Sequence, residues 1–157
     1  MVHALEQIHR VLRRGGVVAD LRPDRFADPR QPQPQLPKIC WASQRRERFQ
    51  GVLDKNPGNL RKHRAATRTM HRVVQRKLFR LERTETFPFR YHFRSLGVFE
   101  RFLRTVWKES VVQPSVYRRL LRAKRRSPNG HVVVIEPLRL NVLRKRNPVR
   151  HRAAAGP

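Results

Sequence analysis

The sequence predicts an α/β fold, and three stretches carry that expectation. In residues 5–23 a helical pattern runs into Gly15-Gly16 and then the apolar run Val17-Val18-Ala19, with Leu21 close behind. In residues 84–93 aromatic and polar residues alternate. Residues 131–136 form a continuous apolar run. A helix, a glycine pair and a short buried parallel strand make half of a doubly wound unit. In such units ligands gather outside the carboxyl ends of the strands.

The first helix is amphipathic, with Leu5, Ile8 and Leu12 on one face and Val11 beside them. Arg10, Arg13 and Arg14 crowd its last turn, where cations oppose the helix dipole. Gly15 and Gly16 end it, because glycine takes the left-handed cap cheaply. Asp20 and Arg22 fall at the carboxyl end of the strand, and Pro23 stops it.

Residues 24–38 carry Pro29, Pro32, Pro34 and Pro37, which forbid helix and central strand. They read as an extended surface loop, in which a plain linker outweighs a Pro-rich partner motif. Residues 39–42 and 48–53 read as a small β-ribbon turning at 44–47. From Asn59, an N-cap candidate, to about Glu82 the pattern is helical. Leu60, Ala66, Met70, Val73, Val74, Leu78 and Leu81 form its apolar stripe among arginines and lysines. Such a basic amphipathic helix suits a membrane surface or RNA, but covering one face of a sheet needs no further assumption.

In the aromatic strand Phe87, Phe89, Tyr91 and Phe93 share one face, with Arg90, His92 and Arg94 on the other. Pro88 places that strand at an edge, or itself near the strand's start. Ser95 caps a helix over 96–107, and Pro114 opens another through about Arg126. Ser127-Pro-Asn-Gly130 turns the chain into a central strand at 131–136, prolonged by Leu138, Leu140, Val142 and Leu143. Residues 1–143 are expected to form one α/β domain, and 144–157 a disordered basic tail.

Residues 6–23, reading EQIHRVLRRGGVVADLRP, resemble the approach to the fifth strand of class I S-adenosylmethionine-dependent methyltransferases. There a helix ending Arg-Val-Leu-Lys-Pro-Gly-Gly precedes a hydrophobic strand, and Arg14 stands here where proline is usual. Two later stretches, VFERFLRTVW and GHVVVIEPLRL, are similar to the ends of small-molecule methyltransferases. The resemblance implies a partial Rossmann-like sheet, strands 5-7-6, flanked by helices. It marks Gly15 and Gly16 as the structural junction, and places Asp20, Arg22 and His92 toward a substrate pocket.

The family's glycine-rich loop and ribose-binding acid would lie upstream of Met1. The resemblance therefore implies a chain lacking the half that holds S-adenosylmethionine. It is expected to bind no cofactor alone, to be inactive alone, and to need a polypeptide that supplies the missing strands.

Thirty-seven basic and eleven acidic residues among 157 give a net charge of +26. Such a chain attracts nucleic acid at low salt. The arginines are dispersed, so compositional bias or a truncated chain outweighs selected nucleic-acid binding. No 18-residue apolar run suggests a membrane span, and no signal-peptide pattern is present. Cys40 is the single cysteine, which excludes an internal disulfide and suits a reducing cytoplasm. The seven histidines form no metal-ligand pattern, no phosphate-binding glycine loop occurs, and no carboxylate pair stands out for acid–base work. Catalytic residues are thus not assigned. A non-catalytic interaction protein or a basic nucleic-acid binder is the alternative to a methyltransferase fragment.

Overall fold

The computed structural model describes residues 2–24, 36–44, 46–55 and 57–146. Its order is α1 (Val2–Val11), β1 (Val17–Pro23), β2 (Lys38–Ser43), β3 (Arg46–Lys55), α2 (Pro57–Gln75), β4 (Phe79–Phe93), α3 (Leu96–Thr105), β5 (Ser110–Val112), α4 (Pro114–Arg126) and β6 (His131–Lys145). The architecture is mixed α/β, built on an open six-stranded sheet whose pairings are all antiparallel.

The long strand β6 is the spine of the sheet. β4 lies along one flank from Phe93↔Val132 to Phe79↔Lys145. The other flank is shared end to end: β2 pairs with residues 131–135, and β1 with 138–144. Pro88 faces Pro137 across the β4–β6 ladder. Neither proline can donate, so the two fit where neither owes the other a bond. The Pro137 carbonyl instead accepts from the Asp24 backbone N–H at 2.7 Å, in the gap between β1 and β2.

Several expectations change in register or extent. Residues 17–21 are not a buried parallel strand. β1 runs antiparallel to β6, and it pairs with 138–144, beyond the apolar run at 131–136. The ribbon is part of the main sheet, because β2 takes the flank of β6 that β1 leaves free. α2 starts at Pro57, two residues before the expected cap at Asn59, and ends at Gln75. Leu81 therefore lies on β4 and not on a helical stripe. β5 carried no sequence signal.

The expected tail also starts too early, because β6 runs to Lys145. Arg144 Nη1 and Lys145 Nζ donate to the carbonyls of Gly15 and Leu12 at 2.7 and 2.6 Å. They satisfy acceptors that the end of α1 leaves open. Residues 147–157, and 25–35 of the Pro-rich loop, lie outside the described residues.

Local rules explain the remaining boundaries. Gly15 takes φ 68° in the turn that joins α1 to β1. Ser95 Oγ accepts from the Val98 N–H at 3.3 Å and caps α3. Pro114 opens α4. At the end of α2 the Leu78 N–H reaches the Val73 carbonyl and the Lys77 N–H reaches that of Val74, at 3.2 and 2.9 Å. That is a Schellman ending, with Lys77 at φ 58° where glycine is usual.

The sheet divides the core. On one face Val132 and Val134 pack with Ile39, Trp41, Phe93, Phe99 and Leu120 under α3 and α4. On the other, Leu143 packs with Leu5, Met70, Val73 and Phe79 under α1 and α2.

Candidate functional site

The carboxyl end of β1 meets the middle of β6 and β4 in a partly buried polar cluster. Strand alternation puts Asp20, Arg22 and Asp24 on one face. Register places Asn141 and Thr84 beside Asp20, and Arg139 and Thr86 beside Arg22. Asn141, 5% exposed, is the hinge of the cluster. Its Nδ2 donates to Asp20 at 2.8 Å and its Oδ1 accepts from Thr84 at 3.0 Å. Asp24, 6% exposed, accepts from Thr86 at 3.0 Å and from Arg139 Nε at 2.9 Å.

Arg22 Nε lies 3.1 Å from Asp20, while its Nη1 is buried without a hydrogen-bond partner among the described residues. Burial lowers the pKa of this guanidinium from its usual value, with Asp20 opposing. The two carboxylates balance the two guanidiniums, which is what makes burial of four ionised groups tolerable.

Over the cluster α2 brings Thr67, Met70, His71, Val74 and Gln75, enclosing a cavity of about 240 Å³. Met70, Val74, Leu81 and Leu143 make most of its lining apolar, with Arg22, His71 and Gln75 among its polar members.

The structure brings together two of the three expected pocket residues. Arg22 lines the cavity, and Asp20 is joined to it through Arg22 and Asn141. His92 lies apart, for it pairs with Val133, eight residues back along β6 from Asn141, roughly 27 Å at strand spacing. There its Nδ1 meets His131 Nε2 at 3.2 Å. Gly15 and Gly16 act as the α1–β1 junction and touch no cavity. Asp24, Arg139 and Asn141 were not singled out from sequence. The alternation Asp20-x-Arg22-x-Asp24 was a readable signal for the first, while the other two depend on register.

Elsewhere, burial raises the Cys40 thiol pKa, with Glu47 adding to the effect, so Cys40 packs and does not react. Among the described residues no cluster of His, Cys, Asp or Glu can hold a metal ion, and no helix is long and apolar enough to cross a membrane.

Fold and cluster together define a mixed α/β protein with a small, mostly apolar pocket under α2, edged by a polar cluster. Compared with known proteins, the chain matches no family model, no curated protein and no solved structure.

Proposed function

We propose that this chain is the carboxyl-terminal half of a class I methyltransferase-like sheet, a non-catalytic platform that a second polypeptide completes along β1. The observation that carries the reading is the place of β6. It lies between β1 and β4 and runs antiparallel to both, so β1 and β4 point the same way. That order corresponds to strands 5-7-6 of the resembled family. α1 and α2, which flank β1 in sequence, share one face, as successive crossover helices do.

The far edge of β1 pairs with nothing among the described residues. On the sheet face away from α1 and α2, Val17 and Leu21 stay 44% and 56% exposed, with Phe87 and Phe89 nearby. A free edge beside an apolar face is a surface built for another strand.

The residues present do not fit S-adenosylmethionine. No glycine-rich turn joins a described strand to a helix N-terminus. The Asp20 carboxylate is already held by Asn141 and Arg22. No methyl-transfer step is therefore assigned to this chain, and action on a small molecule belongs to the completed sheet. The lone, buried Cys40 is compatible with a reducing, cytoplasmic setting.

Calorimetry with the purified chain and S-adenosylmethionine tests the reading. No saturable heat is expected. Stoichiometric binding at micromolar cofactor would show that this half builds its own site, and would end the reading of it as a platform.

A further inference from the structure

A second surface stands apart from the β1 edge and is independent of the sheet-completion reading. α4 packs on the β2–β3 ribbon and leaves a concavity of about 860 Å³ beside the contact. The close approach is made at Gly51, φ 154°, where any Cβ would collide with Val116 of α4. Two rows of arginine then line the same space. Arg46 and Arg48 come from alternate positions of β3, and Arg119, Arg122 and Arg126 from one stripe of α4. Phe49, 61% exposed, lies on the other face of the ribbon, paired with Cys40 and beside Val52.

What sets this space apart is that five arginines converge on one concavity. Elsewhere the few carboxylates are spent on arginines, as in Arg76–Glu6, Arg144–Glu82 and Arg139–Asp24. Among the described residues none of the five groove arginines pairs with a carboxylate, and the groove lining contains none. Five guanidiniums facing one space repel each other unless a polyanion lies between them.

We propose that this groove binds a single strand of nucleic acid, its phosphates on the arginine rows. A guanidinium fork matches phosphate geometry. A concave floor between a ribbon and a helix admits a strand but not a flat bilayer. Two facing rows of guanidiniums along a cleft match the regular repeat of phosphates on a backbone.

The test is fluorescence anisotropy of a labelled mixed-sequence RNA, roughly 12 nucleotides long, with the full chain. Replacing two groove arginines (Arg122→Gln with Arg126→Gln) is expected to weaken binding at least tenfold. It should also lower the log–log salt slope by roughly 1.4. The same change on the exposed face of α2 (Arg61→Gln with Arg68→Gln) should stay within about twofold at matched net charge. Phe49→Ala, on the other face of the ribbon, should likewise stay within about twofold. Circular dichroism confirms that each variant is folded.

Equal losses for the two arginine pairs would overturn the groove in favour of diffuse charge. A tenfold loss for Phe49→Ala would move the site to the other face of the ribbon and overturn the groove. Displacement of the RNA by polyglutamate or by anionic vesicles at equal charge would assign the groove to an acidic protein or a membrane instead.

Discussion

Asn141 donates its side-chain amide to Asp20 across the β1–β6 ladder at 2.8 Å, and it is the residue that joins the two outer strands of the cluster. Its carbonyl oxygen accepts from Thr84 on β4, so one side chain spans three strands. Removing it leaves a carboxylate and a hydroxyl short of a partner in a partly buried place. Asn141→Ala should therefore destabilise the fold by about 1–3 kcal/mol. Thr84→Val, which keeps the shape and removes one neutral bond, should cost about 1 kcal/mol. Urea midpoints read both, and a loss below about 0.5 kcal/mol for Asn141→Ala would show that water replaces the amide.

Lys77 ends α2 in the left-handed conformation at φ 58°. That conformation costs an L-residue roughly 1–2 kcal/mol. Glycine avoids this cost but brings a looser unfolded chain, a penalty of about 0.5–1 kcal/mol. Lys77→Gly should stabilise by about 0.5–1 kcal/mol net, raising Tm by roughly 2 °C. A lowered Tm would mean that the lysine stem packs on something worth more than the strain.

Glu82 sits in the bulge of β4 and accepts from Arg144 of β6 at 2.6 Å and Arg80 at 2.7 Å. Those two hydrogen bonds, Arg144 first, hold its carboxyl at about 2, below the ordinary 4.5. A carboxylate depressed on folding contributes above its unfolded pKa, and the contribution fades as pH falls through the folded one. Stability should therefore be lost on acidification between about pH 4.5 and about pH 2, in part through this group. Glu82→Gln should flatten that limb relative to the unmodified chain, in urea midpoints measured across the window. Parallel curves would show that Glu82 is not a contributor.

The parts of the fold that sequence made legible are the locally specified ones. Ser95 before Leu96, and Pro114 before Val116, set their helix starts with bonds or dihedrals inside one turn. The period-2 aromatics and the apolar run at 131–136 identified β4 and β6 for the same reason. β5 and the β2–β6 pairing rest on contacts between distant segments, which no short window contains. Leu78 and Leu81 misled because helical and strand spacings coincide over a few residues, and Lys77 hid the helix end that a glycine would have announced. Within the site, Asp20 and Arg22 were visible from their place at a strand end. Asn141 and Arg139 became partners only once the register was set, and His92 sits on the same strand set but at its other end.

The free edge of β1 leads to a salt effect opposite in sign to that of the arginine groove. Two copies of the chain, each at +26, repel at long range. At about 0.05 M salt that repulsion keeps the edges apart, and at about 0.5 M it is largely screened. The apolar contacts around Val17 and Leu21 are not weakened by salt. Self-association should therefore rise with ionic strength, while nucleic-acid binding falls with it. Leu21→Lys places a charge on the apolar face beside the edge, a device by which natural sheets resist pairing. Leu21 is 56% exposed, so the substitution should leave stability within about 0.5 kcal/mol. Sedimentation velocity should show the unmodified chain growing from monomer to dimer or larger between the two salt conditions, and the variant remaining monomeric in both. A chain that stays monomeric at high salt, or a variant that associates as readily, would mean that β1 is not the adhesive edge.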